Sequence, residues 1–181
     1  RDVLGSRGLG DVYKRQNVPC VILRPFNIFG PGMKLNDGRM PTDCARAVVL
    51  NKDIPVYSDG TPTRTFCYMS DAITWILKAA ARGTFDVFNI GMDSPELTML
   101  GYAKMCALIG QKSFGYEGKV EFQVSEDQDF LTDNPRRRCP DLSYSQKKLG
   151  FHPQLSTEEG IYRFLTFLTE YREQLEEEWT W

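Results

Sequence analysis

The chain has 181 residues, 41% of them hydrophobic and 25% charged, with a formal net charge of −2 and a single histidine. That length suits one domain-sized core, and the balanced charge gives no footing for nucleic acid or an acidic membrane surface. No apolar stretch approaches the roughly 20 residues of a spanning helix, and five widely spaced cysteines form no metal or disulfide pattern, which reads as reduced thiols in a cytoplasmic protein.

Residues 1–16 show no apolar period. The stretch from Gly8 to Gln16 looks like a translated sequencing-adapter remnant, and the segment is set apart from the fold as an expression scar would be. Gly5, Gly8 and Gly10 imitate a glycine-rich phosphate loop. Only Val3-Leu4 precede them as a strand, however, and nine residues between Gly10 and Cys20 are too few for a helix and crossover.

A strand is predicted over 20–24. Its run Cys20-Val21-Ile22-Leu23 has no alternation and reads as covered on both faces. Pro25 ends its ladder for want of an N–H, and Gly30-Pro31-Gly32 turns the chain where ligand crevices form. A helix follows over 41–51 with Thr42-Asp43 as N-cap candidates, then strands over 54–57 and 64–68. A helix over 70–82 with Ser70-Asp71 as cap, a strand over 86–90, a helix over 96–110 and a strand over 119–124 come next. Ser143 opens a short helix that Gly150 ends, and Ser156-Thr-Glu-Glu159 has the form of a capping box for a last helix over 156–173. On that helix Ile161, Phe164, Leu165 and Leu168 recur at i, i+3, i+4 and i+7, a stripe for core packing. The tail 174–181 reads as a solvated, fraying end. Alternating strands and helices make the class α/β with a parallel sheet.

Three blocks carry a resemblance. Arg24-Pro25-Phe26-Asn27-Ile28-Phe29-Gly30-Pro31-Gly32 resembles the R-P-F-N-V-Y-G-P-G signature of the extended short-chain dehydrogenase/reductase family, the NAD-dependent nucleotide-sugar epimerases, dehydratases and decarboxylases. The stretch from Asp59 to Asp71 resembles its D-G-x-Q-x-R-x-F-x-Y-V-x-D block. The stretch from Asp133 to Leu142 resembles its D-x-P-x-R-R-x-P-D-I block, and Leu149-Gly150-Phe151-x-Pro153 its ending. The likeness covers roughly 17–171 and is specific for the superfamily, less so for the reaction.

The resemblance implies that 17–173 are the back half of such an enzyme: the last strands of a Rossmann-type doubly wound parallel sheet plus the smaller substrate-binding α/β subdomain. Residues 1–16 match nothing in this pattern. The family's catalytic Tyr-x-x-x-Lys, counted back from Arg24, falls before residue 1, and Tyr13-Lys14 is an adjacent pair that cannot share a helix face. No catalytic residue is therefore expected in the chain. NAD is expected to be held mainly by the missing front half, with Pro25 and Phe26 beside the nicotinamide. The implied activity is NAD-dependent modification of a UDP-sugar through a 4-keto intermediate, UDP-glucuronate decarboxylation or UDP-sugar 4-epimerisation first, with 4,6-dehydration or a non-catalytic binding relative as alternatives. The parent is expected to be a homodimer. The 181 residues alone are expected to be inactive and, lacking the dimer helices and the strands that would flank 20–24, prone to association.

Binding chemistry is what remains. A nucleotide diphosphate carries about two negative charges, and the planar fork of arginine suits it best. Arg64 and Arg138 match the family's diphosphate-gripping arginines; Arg136 and Arg137 read as surface residues. Asn27 is either a turn residue or, by the resemblance, a substrate contact. Tyr57 falls where the family sets an aromatic beside the base, though a strand Tyr is as often core. Ser58 and Pro62 depart from the family's Gly and Gln, leaving the loop beside the base open. His152 has no cluster around it and reads as structural, with no metal site expected.

Overall fold

The computed structural model describes residues 19–123 and 135–171. The segment 1–16, the tail 174–181, Asp133-Asn134 and residues 124, 172 and 173 of the predicted elements lie outside the described residues.

The chain runs β1 (Val21–Pro25), β2 (Ile28–Phe29), α1 (Met40–Val49), β3 (Ile54–Val56), β4 (Thr63–Arg64), β5 (Cys67–Tyr68), α2 (Met69–Ala80), β6 (Asp86–Ile90), β7 (Leu97–Thr98), α3 (Met99–Ser113), β8 (Val120–Phe122), β9 (Arg137–Arg138), α4 (Ser143–Leu149) and α5 (Thr157–Glu170). The pairs β1·β6, β2·β5, β3·β8 and β4·β9 are parallel; β4·β7 alone among the described pairs is antiparallel. This is an α/β fold of parallel strands and covering helices.

Two cores form. In the first, α2 and α4 pack on β1 and β6 around Trp75, Phe88, Ile90, Leu142 and Leu149. Trp75 is fully buried, and its indole N–H donates to the Gly91 carbonyl at 3.1 Å, so the ring fills the core with no orphaned donor. The second core gathers α1, α3, α5 and β3 around Phe29, whose ring meets those of Phe66, Tyr68, Tyr102 and Phe164 edge-on at 5.7–6.3 Å. The stripe Ile161, Phe164, Leu165, Leu168 of α5 is buried here, as its spacing predicts.

Several boundaries differ from expectation for local reasons. Within the described residues β1 is covered on one face only: Val21 and Leu23 pack on the Trp75 core, and the apolar run is half-buried. The strand expected over 64–68 breaks at Thr65-Phe66, because Arg64 pairs with β7 and β9 whereas Cys67 and Tyr68 pair with β2. Leu97 and Thr98 make that ladder before α3 begins, so the helix starts later, with the Thr98 hydroxyl accepting from the Gly101 N–H at 2.9 Å.

Neither Thr42-Asp43 nor Ser70-Asp71 caps its helix. Arg39 is the N-cap of α1, and Asp37 braces the entry by accepting from the Arg39 N–H at 3.1 Å and the Thr42 hydroxyl at 2.8 Å. Asp71, buried in the first turn of α2, instead accepts from the backbone N–H of Gln154 and Leu155, each at 2.9 Å, tying the two halves of the chain. Ser143 opens α4, as read from sequence, with Leu142 as its N-cap. Gly150 ends that helix with φ 58°, and the Ser156 hydroxyl caps α5 by accepting from Glu159 N–H at 3.1 Å, as read from sequence.

Candidate functional site

Between the two cores lies a groove of about 1080 Å³, at the upper end of the roughly 300–1,000 Å³ of small-molecule sites. One wall comes from the end of β1 and from α2, through Pro25, Ala72 and Ile76. The other comes from α1, the end of β3 and the start of α3, through Asp43, Tyr57 and Met99. Arginines of β4 and β9 lie between.

The strand period decides which arginines face it. In the parallel register Arg64 stands beside Arg138 and Thr63 beside Arg137, and residues level on neighbouring strands share a face. Arg64 and Arg138 both line the groove, together with Arg136 two residues earlier. Arg137 points the other way, where its guanidinium forks onto Glu96 with contacts of 2.8–3.1 Å. Glu96 is also held by the Thr63 hydroxyl, and both bonds keep its carboxyl below the usual range.

Arg64 is buried, with its Nη1 donating to the Thr63 carbonyl at 2.7 Å. Burial, and then the neighbouring Arg138, push its pKa down. Among the described residues neither Arg64 nor Arg138 is ion-paired. Two like charges held side by side, one out of water, form a ready seat for a polyanion.

Asn27 sits behind this seat in the left-handed region, φ 43°. Its Nδ2 donates to the carbonyls of Thr65 at 2.9 Å and Arg138 at 3.4 Å, and its own carbonyl accepts from Cys67 N–H at 3.1 Å. The side chain is thus a clamp between β1, the β4–β5 break and β9, as well as a groove residue. Tyr57 lines the groove after β3. The loop beyond it is ordered despite Ser58 and Pro62: Ser58 accepts from Gly60 N–H at 3.1 Å, Asp59 accepts from the Thr61 N–H and hydroxyl at 2.9 and 2.7 Å, and Gly60 and Pro62 carbonyls accept from Leu100 and Met99. Gly60 has φ 76°, and a Cβ there would stand 2.9 Å from that of Leu100, so only glycine fits.

Of the two residues expected beside a nicotinamide, Pro25 lines the groove and Phe26 does not; Phe26 donates its N–H to Ile90 and packs over Gly91. No Gly-x-x-Gly-x-x-Gly loop occurs among the described residues. These residues do not by themselves fit a dinucleotide. One Tyr-x-x-x-Lys spacing does occur, Tyr144 to Lys148 on α4, but the Tyr144 hydroxyl is given to Asp86 at 3.0 Å at the start of β6, and neither side chain lines the groove. His152 is exposed on its loop. The five cysteines are free thiols, and burial pushes Cys67 up to about 12, far from a nucleophilic thiolate.

Sequence reasoning missed Asp43. This carboxyl lines the groove yet is 6% exposed, and burial raises it to about 6 against the pull of Arg46 at 3.9 Å. The available signal was an acid one turn before Ala47 on the buried face of an amphipathic helix. Arg136, read as a surface residue, is exposed and also lines the groove; the Thr61 hydrogen bonds, and then Arg136, hold the Asp59 carboxyl below its usual range.

Residues 7–91 match the family model described as "NAD dependent epimerase/dehydratase family"; the match begins inside the segment 1–16 that the sequence reading sets apart. The chain is 30% identical over 156 residues to UDP-glucuronic acid decarboxylase 1 of Arabidopsis thaliana, covering 86% of this chain and 34% of that protein. It is 29% identical to the decarboxylase 1 of Xenopus tropicalis, covering 90% and 36%. Among solved structures, an epimerase of Methanothermobacter thermautotrophicus superposes with a TM-score of 0.79 at 20% identity, over 93% of this chain and 48% of that one. UDP-glucuronic acid 4-epimerase of Bacillus cereus, in complex with UDP-glucuronic acid and NAD, gives 0.74 at 23%, over 90% and 49%. The chain spans about a third of the first curated relatives and about half of these structures. Motifs, fold and relatives agree in a likeness to the NAD dependent epimerase/dehydratase family.

Proposed function

We propose that the groove binds a UDP-sugar, with Arg64 and Arg138 on its diphosphate, and that the protein serves NAD-dependent modification of that sugar, by UDP-glucuronate decarboxylation or 4-epimerisation. The observation that carries this is the level pairing of two arginines that face a large cleft and have no ion-pair partner among the described residues. A diphosphate offers adjacent anionic oxygens to both forks and removes the repulsion between them. The assembled protein is taken to be a cytoplasmic homodimer.

Calorimetry with UDP-glucose tests the binding. Arg64→Ala and Arg138→Ala should each weaken it by on the order of 2–4 kcal/mol, since a charge-assisted pair to a desolvated phosphate is lost. Arg137→Ala, on the opposite face, should leave affinity within about threefold. If both groove variants also stay within about threefold of wild type, the diphosphate assignment is wrong. Incubation of the full-length parent protein with NAD and either UDP-glucuronate or UDP-glucose then separates the reactions, by CO2 release against inversion at C4.

A further inference from the structure

The arginines account for a diphosphate but not for a base, and the groove holds one buried group of a different kind. Asp43 occupies the first turn of α1. The helix leads through a turn closed by Lys52 N–H donating to Ala47 at 2.8 Å into β3, which packs back along it. The start of α1 and the end of β3 therefore reach the same wall, and Asp43 and Tyr57 both line it. An aromatic face and a buried carboxyl on one wall are the parts of a base site: a surface to stack on and a group to read an edge.

Resting on the UDP-sugar reading above, we propose that Asp43 is the residue that reads the nucleotide's base, and that it selects a uracil-type base as a carboxylic acid that takes up one proton on binding. A protonated carboxyl sets one O–H donor beside one carbonyl acceptor. Uracil presents a matching edge, the C4 carbonyl beside the N3–H, so two hydrogen bonds form. A carboxylate has acceptors only and would turn one of them against the C4 carbonyl. Guanine presents two adjacent donors, N1–H and the N2 amino group, and so suits the ionised form.

The surroundings favour the uptake. Burial already raises the Asp43 carboxyl to about 6, Asp37 in the preceding loop pushes the same way, and Arg46 one turn on opposes. Lys34 and Arg39 are the other charges on that stretch of the groove. Of the elements packed on α1, β3 leads to Tyr57, α3 brings Tyr102 and Cys106 toward Cys44, and α5 brings its apolar stripe. The proton comes from solvent, and no bond to carbon forms or breaks.

The test is calorimetric binding of UDP-glucose and GDP-glucose to the 181-residue chain at about pH 5.5 and 7.5, in buffers of different ionisation enthalpy. Neither diphosphate diester titrates in this range. UDP-glucose should bind about tenfold or more tightly at the lower pH, with net proton uptake at the higher. GDP-glucose should not tighten. Asp43→Asn, whose amide keeps one donor and one acceptor, should bind UDP-glucose at both pH values near the wild-type low-pH affinity, without proton uptake. UDP-glucose binding that is flat with pH, or a pH slope that survives in Asp43→Asn, overturns this assignment alone. Absence of UDP-glucose binding at either pH overturns the underlying reading together with it.

Discussion

Arg136, Arg137 and Arg138 are the same side chain three times, yet the groove uses two of them and a salt bridge the third. The resemblance marked Arg138 and Arg64, but parity along a two-residue strand is set by pairing across 74 residues, and no local signal carries it. Asp43 was half legible: its place on the apolar face of an amphipathic helix is a local signal, whereas the packing of α3 and α5 on α1 is not. Its placement has a sign that can be worked out. The carboxyl titrates near 6 in the fold against 3.8 ordinarily, so the folded state binds the proton more tightly than the unfolded chain. The group's contribution is fully present below the ordinary value and is lost as pH rises through about 6. Asp43→Asn removes that loss. Urea titrations should find the variant more stable by about 2 kcal/mol near neutral pH, with the gap closing toward about pH 4.

At the scale of elements, type and order were legible and junctions were not. Helices α4 and α5 were found with their end signals because Gly150 and Ser156 act within their own few residues. The two-residue strands β2, β7 and β9 exist only through long-range partners, so composition could not announce them. Asn27 is where those partners are joined. Asn27→Gly keeps the left-handed backbone and deletes the amide that holds Thr65 and Arg138. Chemical denaturation should find it about 1–2 kcal/mol less stable. UDP-glucose should bind more weakly as well, because the carbonyl that fixes β9 in register is released.

At the scale of the whole molecule the α/β class was legible in the alternation of elements, but the division into two cores was not, since it follows from how α2 and α5 dock. Phe29 stands at the centre of the second core, fully buried among four other rings. Phe29→Ala should lose about 3–5 kcal/mol, a large share of any domain's net stability, and urea unfolding would register it as a lower midpoint. The groove between the cores has a further consequence. A molecule seated there touches both walls, so its affinity is added to the cohesion of the fold itself. By mass action, a ligand at a hundredfold excess over its dissociation constant stabilises the bound state by about 2.7 kcal/mol. Heating the protein with candidate sugar nucleotides should rank them by the rise in melting temperature, and a compound that spans only one wall should fall behind one that bridges the two.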